Sequence, residues 1–271
     1  MECKKILIIG AGTVGKAVGT LIEEGGHTVS YQDLGRLIEP QTYDIIHIAF
    51  PMVDIVEWAE KVNWWLDDYP CTYLIIESSI VPSALDHLDH PRVIYSPIRA
   101  TEAIMPQQLK TNTKFWASLG TLTRESWSEL KTYFTSIYPQ GHQEFECAES
   151  LAFGKMLEVV DFGLQIMFAQ QVKLACDAHG WDFDEAYTKY RRGSQYGYDY
   201  ISDMSSDGAP DQWVPRAIFR PGVIGGKCVM QDAKLLCNAN LLHSLMQELI
   251  GNNALFGIKQ MLQNAKEETK L

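Results

Sequence analysis

The chain opens on a change of hydrophobic period. Ile6 to Ile9 are apolar without interruption and largely β-branched, the pattern of a short parallel strand buried on both faces. From Val14 the spacing becomes helical: Val14, Val18, Leu21 and Ile22 share one stripe, which Gly25 and Gly26 close. "HTVSYQD" then reads as a second strand ending at Asp33. Further strand-like runs are "DIIHIAF" (44–50), "TYLIIES" (72–78), "RVIYSP" (92–97) and "KFWASLG" (114–120). Between them lie stretches of helical spacing, with Trp58, Val62 and Leu66 at fours, and Trp127, Leu130 and Phe134 behind Thr123, whose hydroxyl suits an N-cap. This alternation predicts an α/β domain, a Rossmann-type doubly wound parallel sheet over residues 1–146.

Beyond that point the pattern is helical only. Residues 148–179 contain no proline and carry apolar side chains on nearly every side, which predicts one helix of ~30 residues buried on several sides, including by a second copy of the chain. "HGWDFDEAY" predicts a turn and a new helix starting at Asp182 or Asp184. Residues 191–215 are polar, aromatic and glycine-bearing, and predict a long loop covering a site. Residues 147–271 are therefore expected to form an all-helical substrate and dimerisation domain, giving a homodimer through the 148–179 helix.

Charge narrows the partners. Twenty-three basic against thirty-four acidic side chains leave a formal net charge of −11, which opposes nucleic acid and anionic membrane surfaces. No apolar run approaches the ~18 residues needed to span a bilayer. "MECKK" runs straight into the first strand rather than toward a cleavage site, so a cytoplasmic protein is expected, with a small molecule as its substrate. The six cysteines form no close CxxC pair, so free thiols are expected and no metal site.

The strand–turn–helix at the N-terminus carries "GAGTVG". In this context Gly10 permits the tight turn, Gly12 lets a pyrophosphate approach the backbone, and Gly15 lets the helix pack closely. Thr13 and Val14 complete the loop at a helix N-terminus that favours an anion. Asp33, about twenty residues on, is placed to hydrogen-bond the adenosine ribose and to repel a 2′-phosphate, which favours NAD over NADP. Arg36 nearby is the feature that would suit NADP.

A second stretch, "RPGVIGGKCVMQDAKLL" (220–236), crowds glycines around Cys228. Gly225 and Gly226 would let backbone and substrate come close. A cysteine thiolate there can add to an aldehyde and hand hydride to NAD, leaving a thioester for hydrolysis. Lys155, in a largely apolar helix, suits proton transfer from a hydroxyl, and Asp232 can pair with it. Arg216, Arg220 and Lys227 can meet a substrate phosphate or carboxylate. Each has a plainer reading: an inert buried thiol, a snorkelling lysine, an N-cap aspartate for the helix from Ala233, solvated loop cations.

Taken together, the N-terminal motif, "AESLAFGK" entering the long helix, "ACDAHGWDFDEAY" after it and "PGVIGGKCVMQDAKLL" resemble the UDP-glucose/GDP-mannose dehydrogenases, within the 6-phosphogluconate dehydrogenase-like superfamily. The resemblance implies oxidation of a sugar C6 alcohol to a carboxylate by two NAD. It casts Cys228 as nucleophile, Asp232 as its associated acid, Lys155 as the stabiliser of oxyanion charge, Ser79 as a cofactor contact and Glu102 as a substrate contact. It covers the first two domains, and the family's C-terminal nucleotide-binding domain has no counterpart in these 271 residues. The chain departs from the family at Val159, Ile80 and Ile98, where asparagine, threonine and glutamate are expected. These losses weigh most on thioester hydrolysis, which needs a positioned water. The expected function is an NAD-dependent oxidoreductase acting on a primary alcohol or aldehyde of a sugar-like substrate. The alternatives are a two-electron dehydrogenase or reductase with a non-catalytic Cys228, and an NAD-binding sensor without turnover.

Overall fold

A computed structural model describes residues 2–33, 42–88, 90–204, 217–225 and 227–268. Two compact units are present, Met1–Leu157 and Glu158–Leu271.

The first unit is built on seven strands: β1 Lys5–Ile9, β2 Thr28–Gln32, β3 Ile45–Ile48, β4 Tyr73–Ile76, β5 Val93–Tyr95, β6 Lys114–Ser118 and β7 His142–Glu144. They lie in the order β2-β1-β3-β4-β5-β6-β7. The first five are mutually parallel, β6 runs antiparallel to β5, and β7 is parallel to β6. The sheet is thus doubly wound and mostly parallel, with two reversed strands at one edge. β7 has no counterpart in the hydrophobic pattern, because "HQE" is a polar edge strand and lacks the apolar run that marks the buried ones.

Burial on both faces explains the unbroken apolar runs. Ile6, Ile8, Ile45, Tyr73, Ile75 and Ile94 join one core with residues of α1 (Thr13–Glu24), α3 (Met105–Thr111) and α4 (Arg124–Ile137). Their alternates Leu7, Ile9, Ile46, Ile48, Leu74 and Ile76, which the pleat sends to the opposite face, are also fully buried. Helix α2 (Ile55–Asp68) is capped by the Asp54 carboxylate, which accepts from the Glu57 amide at 2.9 Å, and it buries Trp58, Val62, Trp65 and Leu66. Thr123 caps α4 as expected, accepting from the Ser126 amide.

Helix α5 spans Ala148–His179 and runs from the first unit into the second. In the second unit, Asp182 accepts from the Glu185 amide at 2.7 Å and starts a wide π-helical turn at Asp184–Lys189. α6 (Tyr190–Met204), α7 (Lys227–Asn238) and α8 (His243–Glu268) follow. Gly163 of α5 faces Val229 and Leu249 so closely that a Cβ would meet Val229 Cγ1 at 2.5 Å. Two expectations are corrected here. Of the expected 191–215 loop, residues 191–204 are helix, because Arg191 anchors the first turn of α6, donating to Ala217 O at 2.6 Å and stacking over the Tyr187 ring, while 205–215 lie outside the described residues. Asp232 lies inside α7 rather than at its start, because that helix begins at Lys227. Among the described residues, no helix is long and apolar enough to cross a membrane.

Candidate functional site

The order β2-β1-β3 places the point where the sheet reverses direction of growth between β1 and β3, and the glycine loop leaves β1 there. Gly10 has φ +101, which disfavours any side chain, and its amide donates to Gln32 O at 2.7 Å. A Cβ at Gly15 would stand 2.0 Å from Gly10 O, so the helix packs onto the turn as closely as glycine allows. At Gly12 the reverse holds: it is exposed, its φ of −75 suits any residue, and a Cβ would meet nothing within 4 Å. Gly12 thus leaves open space at the N-terminus of a twelve-residue helix with no acid in its first turn. That arrangement fits a dinucleotide pyrophosphate.

Asp33 is exposed beyond β2, and one carboxylate oxygen accepts from the Ala11 amide at 2.9 Å, bracing the glycine loop. Glu102 meets the same loop, accepting from Thr13 Oγ1 at 3.2 Å. The structure thus brings Gly10, Gly12, Thr13, Gly15, Asp33 and Glu102 into one neighbourhood, with Val14 packed on the adjacent core. Ser79 is half-buried on the loop after β4. Its neighbour Ser78, which sequence reasoning passed over, is buried and donates to Phe50 O at 2.6 Å, tying that loop to the one after β3. Ile80 and Ile98, the departures from the polar family pattern, are both buried core side chains.

A buried polar cluster lies beneath these loops. Glu77, at the end of β4, receives Lys114 Nζ at 2.5 Å on one oxygen and faces His47 Nδ1 at 2.8 Å on the other. His47 Nε2 lies 2.8 Å from the Tyr133 hydroxyl, and the Tyr138 ring covers Lys114. Burial pushes the Glu77 carboxyl up, but the Lys114 ammonium and His47 outweigh it and hold the group below its ordinary value. For Lys114 burial wins: it lowers the ammonium, and Glu77 restores only part. The sequence marks two members singly, as polar residues in apolar runs, His47 in "DIIHIAF" and Glu77 next to last in "TYLIIES", without showing that they meet.

No protein-family profile matches the sequence, and no curated protein matches it either. Solved structures do. A UDP-D-ManNAc dehydrogenase from Pyrococcus horikoshii superposes with TM-score 0.72 at 14% identity, over 98% of this chain and 72% of that one. A UDP-glucose dehydrogenase from Pyrobaculum islandicum gives 0.64 at 15% identity, covering 94% and 68%. A 3-hydroxyisobutyrate dehydrogenase from Mycobacterium tuberculosis gives 0.57 at 13%, covering 95% and 94%. At these identities the likeness is one of fold.

The remaining expected site residues divide between the units. Lys155 is half-buried in the second turn of α5, in the first unit. Cys228 is exposed in the first turn of α7, in the second unit, so the reading of an inert buried thiol does not hold. Asp232, one turn later, is 2% exposed. Gly225 is exposed, and a Cβ there would meet only Val223 O, at 4.0 Å, whereas Arg216, Gly226 and Arg36 lie outside the described residues. The turn that leads to Cys228 is held by two amide side chains that sequence reasoning missed. Asn253 of α8 accepts from the Ile224 amide at 2.7 Å and donates to Ile224 O at 3.4 Å. Gln170 of α5 donates to Gly222 O at 2.6 Å. Both are buried, so the turn has a fixed backbone although its surface is open.

Proposed function

We propose that this chain is an NAD-dependent oxidoreductase acting on a primary alcohol or aldehyde of a sugar-like polar substrate. The observation that carries the reading is the glycine cradle: a first turn kept clear at Gly12, braced by Asp33 and reached by Glu102, at the reversal point of a doubly wound sheet. The cofactor supplies the hydride acceptor. The fold likeness to UDP-sugar and hydroxy-acid dehydrogenases supports the same reading. Asp33 at the end of β2 favours NAD over NADP. In this reading Lys155 takes the proton from the substrate hydroxyl, Cys228 is the nucleophile of the aldehyde step, Asp232 supports it, and Ser79 and Gly225 line cofactor and substrate.

A specific observation favours a second reading, a two-electron dehydrogenase in which Cys228 is not the nucleophile. Ile80 and Ile98 are 0% and 7% exposed, so the loops after β4 and β5 turn apolar side chains into the core where the resemblance calls for groups that hold a hydrolytic water. A single hydride transfer needs no such water.

One experiment separates the readings. Purified protein and NAD are incubated with a panel of UDP- and GDP-sugars, sugar phosphates and simple hydroxy acids, and NADH formed per substrate is counted, with Cys228→Ser in parallel. Two NADH per substrate, with acid formation lost in the variant, supports the cysteine mechanism. One NADH and an unaffected variant supports the two-electron reading. NADH binding without turnover across the panel rejects both.

A further inference from the structure

A carboxylate and an ammonium at 0% and 4% side-chain exposure are costly to bury, and well-packed apolar residues of similar volume often stabilise a fold as well or better. The Glu77–Lys114 pair therefore calls for a reason other than stability, and its position supplies one. Glu77 opens the loop after β4: its amide donates to Ile48 O at 2.9 Å, and its carbonyl accepts from the Ile98 amide at 3.2 Å. Lys114, at the start of β6, donates to Ser96 O at 2.8 Å and lies 3.4 Å from Pro97 O, so the same ammonium that neutralises Glu77 holds the loop after β5. Ser78 then ties the β4 loop to Phe50, in the loop after β3. One buried cluster thus sets the relative height of three consecutive loops along the carboxyl edge of the sheet.

In a doubly wound sheet a dinucleotide lies across the reversal point, one mononucleotide half on each side. The glycine loop and Asp33 stand at β1 and β2, the adenosine side. The β3, β4 and β5 loops stand on the other, where the nicotinamide half must lie. We propose that Glu77 and Lys114 are positioning residues for the nicotinamide half of the cofactor, acting through the backbone of the β4 and β5 loops. His47, itself held by the Tyr133 hydroxyl, takes the other Glu77 oxygen and leaves Oε2 to Lys114. The inference rests on the dehydrogenase reading above.

The test compares two ligands that share the adenosine half, NADH and ADP-ribose, by calorimetry and by the fluorescence of bound NADH. The variant is the double substitution Glu77→Leu with Lys114→Met, which removes both charges together and leaves neither stranded. The proposal expects ADP-ribose affinity within twofold of the parent, NADH weakened at least tenfold, and loss of the nicotinamide fluorescence change. Lys114→Met alone, which leaves Glu77 with His47 as partner, repeats the test in a second background should the double variant not fold. It is expected to show the same split, with NADH weakened at least fivefold. Variants that bind NADH as the parent does, or that lose both ligands in parallel, overturn the proposal and leave the dehydrogenase reading standing. A parent protein that binds neither NADH nor NADPH overturns both.

Discussion

Gly12 and Gly15 occupy adjacent turns of the same loop yet answer to different demands. A Cβ at Gly15 strikes the Gly10 carbonyl, so Gly15→Ala should destabilise the first unit by about 1–3 kcal/mol, measured by denaturant unfolding. A Cβ at Gly12 meets no protein atom, so Gly12→Ala should fold like the parent yet lose NADH binding by an order of magnitude or more in titration; unchanged NADH affinity would remove the cradle from the site. Two histidines make a separate prediction. His27 accepts the Lys4 amide on Nδ1 at 3.2 Å, so its Nε2 carries the proton and donates to Ser136 Oγ at 3.0 Å. Burial first and the Lys4 charge second push its pKa below the ordinary value against a small opposing pull from Asp44; burial and then Lys131 do the same to His142. The unfolded chain then binds protons that the folded one refuses, so stability is complete above about pH 6.5 and falls as the pH drops from there toward the folded values. Thermal melts at pH 8, 7, 6 and 5.5 should show that decline, shallower in His27→Gln. A flat profile would mean that neither ring is held neutral.

At the scale of elements, the sequence announced most of what the sheet needs and little of what holds the turns. The parallel strands were legible because burial on both faces forces uninterrupted apolar runs, and α5 was legible because thirty-two residues without proline leave few alternatives. The edge strand β7 and helix α6 were not, since each is polar and depends on tertiary partners, the first on β6 and the second on Arg191 reaching Ala217. The glycine loop was readable because its spacing falls between an apolar strand and an amphipathic helix. The Glu77 cluster was not, because its members are scattered over three strands and a helix and only the sheet order brings them together. The same is true of Asn253, which lies twenty-nine residues from the Ile224 backbone it binds. Asn253→Leu should strand a buried amide and carbonyl at the turn before Cys228, costing about 1–3 kcal/mol in denaturant unfolding of the second unit. It should also alter the alkylation rate of Cys228 while leaving that of exposed Cys3 unchanged, and a Cys228 rate equal to the parent's would show that the turn does not depend on this contact.

For the whole molecule the net charge and the apolar surface pull in opposite directions. Each chain carries −11, so two copies repel at long range and association has to come from a contact face. Helix α5 offers one. Phe162 and Phe168 of α5 remain 51% and 53% exposed although they touch Phe219 and Tyr187, and Leu255, Ile258, Met261 and Leu262 of α8 are exposed as well. If the homodimer proposed from the apolar pattern of 148–179 forms, burying such a face is what overcomes the repulsion, and the balance has a diagnostic salt dependence. Raising ionic strength from about 0.05 M to 0.5 M shortens the screening length severalfold, weakening the repulsion while leaving apolar burial intact. Sedimentation equilibrium should therefore give twice the 30.6 kDa chain mass, with a dissociation constant that falls as salt rises. Phe162→Glu, which places another negative charge on the face, should return the mass to one chain. A parent that sediments as one chain at all salt concentrations would exclude this face as an interface, and a dimer that salt disperses would point to ion pairing in its place.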